Sequence, residues 1–262
     1  MTAKFSTAAD DDAATMLSLG VLAYTLETMI HEGLGHGGLC LAQGHHITLL
    51  TPLWMRCDMV MPLMVFAGPM ANLVAAILSF AFLRANWAIG DRLRMFGGLS
   101  LIFNGLVVTG YPIVGGMTGF GDWPYLFLSI QPAWVWRAGL VVAGLCGYLL
   151  ALKVGTNSYV ASIGGTRRTF VRRVVLSATG AGIVALAAQA YGQGTALIGL
   201  VLPAACTFGT GASILLLRDR ISGSGDGKNV IARSWVTIAL GVFVAAIYIM
   251  LIGPGIRIGG AV

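Results

Sequence analysis

Seven predominantly apolar stretches of about 20 residues, at 15–38, 59–83, 95–117, 133–152, 174–192, 195–217 and 235–253, dominate the chain. A helix rising 1.5 Å per residue needs about 20 such residues to cross a hydrocarbon core about 30 Å thick. With no water in that core, every backbone N–H and C=O must find its partner inside the chain. The stretches therefore predict an all-α polytopic membrane protein of about seven transmembrane helices. Composition excludes a soluble globule: only 10% of the residues are charged, against about 25% in soluble domains.

Of the 16 Lys and Arg, 13 fall on the side of the N-terminus in this seven-helix reading and 3, Arg56, Arg137 and Arg257, on the other. The positive-inside rule then puts the N-terminus in the cytoplasm and the C-terminus outside. The expected location is an integral membrane protein of a bacterial inner membrane. The net charge of +6 is read as an attraction to the anionic headgroups of the lipid bilayer. No basic face interleaved with aromatics suggests a nucleic-acid partner. Residues 1–14 form a short cytoplasmic tail without the features of a cleaved secretory signal, and Asp12 or a neighbour is placed to cap the first helix. Residues 15–130 hold helices one to three, and 131–262 hold helices four to seven, which carry no Glu, Asp or His in their apolar spans.

The run Glu27–His46, ETMIHEGLGHGGLCLAQGHH, contains all four histidines of the chain and two glutamates. Ionisable residues at membrane depth cost roughly 2.5–3.5 kcal/mol each on insertion scales and mark functional sites by default. A metal ion is the partner expected for such a cluster. Metal hydrolases of the zinc-protease type place two His on one helix face, a Glu beside the first as general base, and a third ligand from elsewhere. The usual HExxH spacing of four serves this because four residues return within about 40° of the start. Here the spacing of His31 and His36 is five, about 140° on a regular helix. A π-bulge, cheap at Gly33 and Gly35, restores a shared face. An unbroken helix instead pairs Glu27 with His31 and Glu32 with His36.

Downstream, Gly44 is a plausible C-cap, and residues 45–57, rich in strand formers, predict a short interfacial extended segment or hairpin, in which Pro52 is limited to an edge or a turn. Cys40 and Cys57 lie at the outer ends of helices one and two, where an oxidising compartment permits a disulfide. Cys146 and Cys206 read as buried mid-helix packing. The second helix carries AGPMANLVAA, with Gly68 on a small-residue face and Asn72 as its one strongly polar side chain. The third carries Asn104, a helix-breaking Pro112 and a glycine-rich stretch closed by Asp122.

HEGLGH, the following hairpin, AGPMAN and GFGDW, in that order, resemble the site-2 protease family of intramembrane zinc metalloproteases over about residues 25–125. The resemblance implies zinc as cofactor, His31, His36 and Asp122 as its ligands, Glu32 as general base, and supporting roles for Gly68, Asn72 and Asn104. It implies hydrolysis of a peptide bond in a transmembrane protein substrate. The alternative expectation is an inactive relative serving as an accessory subunit among partner subunits of a larger membrane complex, with helices four to seven as contact surface. A metal carrier is the third reading, and it suits the apolar later helices poorly.

Overall fold

The structure is a computed structural model, and it describes residues 11–85, 87–193, 197–217 and 230–258. The expected tail 1–14 lies largely outside these. The first membrane helix begins as α1 (Ala13–Thr28), widens into a π-helical segment (Met29–Gly37) and ends as α2 (Gly38–Ala42). Strands β1 (Ile47–Leu50) and β2 (Met55–Cys57) follow, then α3 (Pro62–Arg84), α4 (Asp91–Thr118), the short α5 (Asp122–Tyr125), α6 (Ala133–Ile163), α7 (Arg167–Gln193) and α8 (Leu197–Leu217). The last helix, α9 (Trp235–Ile247), continues as a π turn over Tyr248–Ile252.

Among the described residues six helices are long and apolar enough to cross a bilayer: Ala13–Ala42, α3, α4, α6, α7 and Trp235–Ile252. The expected sixth stretch, 195–217, falls on α8 and begins on residues outside those described.

Packed helices meet at small residues. Gly68 of α3 faces Gly35 of the π segment, Gly97 and Gly98 of α4 face Phe82 of α3 and Tyr159 of α6, and Gly211 of α8 faces Ala178 of α7. Such residues let backbones approach where lipid supplies no hydrophobic drive between helices. The main core joins Met16, Leu19, Ala23 and Tyr24 of α1 to Met95, Leu99 and Ile102 of α4, Tyr159 and Ile163 of α6, and Val174, Ala181 and Ala188 of α7.

Several helix ends differ from the sequence expectation. Pro112 does not break its helix: α4 runs through it to Thr118. The stop comes at Gly119, in the left-handed region at φ +80°, where Arg137 of α6 donates to the carbonyls of Gly116 and Met117 and so caps the terminus. Helix α6 extends past 152 to Ile163, because the first residues that favour a stop are Gly164 and Gly165, at φ +71° and +114°. Helix α7 starts at Arg167, not 174, and draws four arginines of the expected loop into its first turns. Cys146 is exposed on α6 instead of packed inside, and the side chain of Cys206 lies outside those described.

One of those arginines is wholly buried. Arg173 donates through Nε and Nη2 to both carboxylate oxygens of Asp11, at 2.8 and 3.0 Å. Asp11 also accepts the N–H of Ile231 at 2.7 Å. Asp12 caps α1 as expected, accepting the Thr15 N–H at 2.9 Å. That bond, with further ones from the Thr15 hydroxyl and Arg233, holds the Asp12 carboxyl below its ordinary value. The start of α1 is thus tied to α7 and to the start of α9.

At the other end of α1 the helix closes as expected on Gly44, at φ +79°. His45 N–H bonds the Cys40 carbonyl and Gly44 N–H that of Leu41, which satisfies two orphan carbonyls in a Schellman motif. The predicted hairpin forms, with Ile47 opposite Cys57 and Leu50 opposite Met55. Pro52 sits in its turn, where the Thr51 hydroxyl accepts from Leu53 and Trp54. A Cys40–Cys57 disulfide pins the hairpin to α2, and Leu50 bridges to Ile256 beyond α9.

Candidate metal centre

The motif HEGLGH lies wholly within the π segment. A π turn bonds i to i+5, so residues five apart stack on one face, and the His31 and His36 rings lie 4.8 Å apart with their planes at 86°. The unbroken-helix alternative is not what forms. Asp122 enters from the loop after α4. Gly121, at φ +103°, turns the chain there and α5 begins with the aspartate.

The three side chains converge on one point. His31 Nε2 lies 3.1 Å and His36 Nε2 3.5 Å from Asp122 Oδ2, and one ligand atom of each residue falls within 4.8 Å of the others. Ligand bonds of about 2.0–2.2 Å to a tetrahedral metal place donor atoms about 3.3–3.5 Å apart, and the two imidazole–carboxylate distances lie close to that range. His31 and His36 are 2% and 7% exposed, so water does not compete freely for their nitrogens.

The far side of each ring fixes which nitrogen faces the point. His36 Nδ1 is 2.8 Å from the carbonyl oxygen of Met64 in α3, and a carbonyl only accepts, so Nδ1 carries the hydrogen. His31 Nδ1 meets Oδ1 of Asn72. Asn72 in turn donates through Nδ2 to Oδ1 of Asn104 at 2.8 Å, and Asn104 donates to the carbonyl of Ser100 at 2.8 Å. This chain orients both amides and makes Asn72 Oδ1 an acceptor. Both Nε2 atoms therefore present lone pairs, the arrangement that outer-shell acceptors impose on metal-binding imidazoles. Two imidazole nitrogens and a carboxylate converging on one point form a geometry that can hold a metal cation.

Two further observations test whether that cation fits. A Cβ on Gly68 would run into His36 Nε2 and come within 2.9 Å of His31 Nε2, so the glycine keeps open the space in front of the ligand atoms. Glu32, 4% exposed, is hydrogen-bonded by the Met55 backbone of β2, while its Oε2 is buried with no partner among the described residues. This carboxylate oxygen is dry and unpaired in the residue next to His31. The donor set of two imidazoles and a carboxylate suits zinc and leaves a fourth position open.

Every site residue read from the sequence is in or against this cluster: His31, Glu32, His36 and Asp122 in it, Gly68 under it, Asn72 and Asn104 behind it. His45 does not reach it and instead contacts Asp58 at 3.2 Å. Three neighbours had no signal in the sequence: the Met64 carbonyl, the ring of Tyr111, 5.2 Å from that of His31, and Trp123, edge-on to Phe66 at 5.9 Å. An open groove of about 710 Å³ runs along the lipid-facing side between the π segment and α3, lined by Leu34, Gly35, Phe66, Met70 and Val74 among others.

No protein-family model, curated protein or solved structure matches the chain. Its function has to be read from the site itself.

Proposed function

We propose that the chain is an intramembrane zinc metallopeptidase that hydrolyses a peptide bond of a membrane-embedded or membrane-edge protein, as the resemblance to site-2 proteases implies. The observation that carries this is the convergence of His31 Nε2, His36 Nε2 and the Asp122 carboxylate beside the unpaired Glu32 oxygen. A zinc ion held by the three ligands would supply Lewis acidity, polarising the scissile carbonyl and acidifying water. Glu32 takes the proton of the attacking water and delivers it to the leaving amine. Asn72 and the Met64 carbonyl hold the two imidazoles in the tautomer the ligands need. Substrate has to reach the site as unwound backbone, since a helical peptide bond is shielded.

Topology supports a site near the outer face. The start of α1 is bonded to the segment before α9 through Asp12 and Ile231, and the far ends meet through Leu50 and Ile256. Helices α1 and α9 are therefore parallel, which supports the seven-crossing reading, with α8 as the return. The hairpin, its disulfide and Asp122 all belong to the end opposite the N-terminus, the oxidising side in this orientation.

The test is metal content by elemental mass spectrometry for the wild type, His36→Ala and Asp122→Ala. About one zinc per chain in the wild type and none in either variant is expected. Cleavage of a transmembrane peptide, lost in Glu32→Gln with zinc retained, is expected next. A wild type without stoichiometric metal overturns the reading. It would favour the accessory-subunit alternative, for which α6 and α9 offer largely exposed apolar faces, and stable co-purification with a membrane complex would support that role.

A further inference from the structure

We infer that Glu27 is a positioning residue for His31 and acts through Asn72. The inference rests on the metal-centre reading, but concerns a residue that the ligand set and the peptidase mechanism leave unused.

Glu27 is 4% exposed at membrane depth in α1, one turn before His31, and it is not one of the three converging ligands. Its burial is costly and so calls for a role. Helix α3 brings Asn72 against it: Asn72 Nδ2 donates to the Glu27 carbonyl at 3.3 Å and to its Oε1 at 3.4 Å. The other hydrogen of that amide goes to Asn104. With both hydrogens claimed from two different helices, the amide has one orientation, and that orientation turns Oδ1 to His31 Nδ1. A flipped amide would set Oδ1 against the oxygens of Glu27 and Asn104 and its hydrogens against the Nδ1–H. Glu27 thus helps to fix the tautomer that leaves the His31 Nε2 lone pair for a metal. Its other oxygen accepts from the Thr28 hydroxyl at 3.4 Å, which holds the carboxylate in place.

Glu27 also forms part of the wall of a partly open cavity of about 170 Å³ between α1, α4, α6 and α8. The cavity leaves room for a side chain of similar length at this position, so replacement by Met removes the side-chain acceptor, leaving the Glu27 carbonyl, without overpacking.

The experiment is a competitive zinc titration of the full chain in detergent for the wild type, Glu27→Met, Glu27→Gln, Asn72→Ala and the double variant Glu27→Met with Asn72→Ala. Glu27→Met is expected to bind zinc about tenfold more weakly, the lower end of outer-shell effects. Glu27→Gln, whose side-chain carbonyl accepts the same bond, is expected to recover most of that loss. In the Asn72→Ala background Glu27→Met is expected to cost nothing further, since the cycle closes when one residue acts through the other. A second readout needs no metal: in ¹⁵N-histidine spectra the His31 Nδ1 signal of Glu27→Met is expected to move toward a mixture of tautomers. Wild-type affinity in Glu27→Met, or an equal loss with and without Asn72, overturns the inference while leaving the metal centre intact. Absence of zinc from the wild type overturns the metal-centre reading instead, and an unchanged Nδ1 signal in Glu27→Met then overturns the tautomer role as well.

Discussion

Gly68→Ala is the sharpest test of the metal centre because it adds one methyl group and replaces none of the converging side chains. The new Cβ would lie 2.9 Å from His31 Nε2, and nearer still to His36 Nε2, where ordinary contact begins at 3.4 Å. Each ring has to retreat by about 0.5 Å or more, while ligand distances are held to about ±0.2 Å. Separating the helices offers little relief, since His36 Nδ1 is bonded to Met64 on the same α3. The loss should match the severe end of outer-shell damage, about 100-fold in zinc affinity, or about 2.8 kcal/mol. The assay is a chelator-competition titration in detergent, with thermal unfolding of the metal-free protein as the control for folding. Wild-type affinity in Gly68→Ala would refute the claim that the glycine opens the space in front of the two imidazoles.

Three other outcomes are expected. Arg173→Met leaves the Asp11 carboxylate buried without its guanidinium partner and should cost about 3–5 kcal/mol; adding Asp11→Asn should recover part, and a thermal melt like the wild type's would count against a folded-state role for the pair. Replacing Cys40 and Cys57 with Ser opens a crosslink spanning 17 residues, worth about 3 kcal/mol by loop entropy. Its occurrence is checked by alkylation of the unreduced protein, in which both thiols should be protected. Deleting Gly33, whose added Cβ would meet nothing within 4 Å, converts HEGLGH to HELGH and should keep zinc affinity within about tenfold, because a spacing of four on an α-helix also returns to one face; loss of binding would show that the π turn does more than restore the face.

What the sequence made legible follows from which forces act locally. The apolar stretches were readable because the bilayer imposes a length and forbids open backbone. Gly44 and the hairpin were readable because caps and turns are decided by a few adjacent residues. The helix ends at 152 and 174 were misjudged because hydropathy marks where the membrane stops, and a helix stops only at a breaker such as Gly164. Pro112 misled in the opposite sense: it removes one hydrogen bond, and α4, packed between α3 and α6, runs on. The Asp11–Arg173 pair was invisible, since its partners are 162 residues apart and Arg173 counted as one more loop cation. At the site, the family resemblance named the three residues that converge, His31, His36 and Asp122, but the ring orientations depend on a carbonyl of Met64 and on amides from two other helices. No local pattern encodes those.

The five-residue spacing ties these observations together. An extra residue in a regular helix would rotate everything beyond it by about 100° and carry Cys40, Gly44 and the hairpin away from α3. Absorbed in a π turn, it leaves the path of the helix intact: His36 still meets Met64, Gly35 still faces Gly68, and Cys40 still reaches Cys57. Those three contacts lie after the insertion and bind the same stretch of chain to α3 and β2, so the π turn is over-determined by tertiary structure. A local distortion held this firmly at a cluster of buried donors is what a site that must stay pre-organised requires. A relic free to drift would lose nothing by relaxing the turn and burying an apolar residue in place of Glu32.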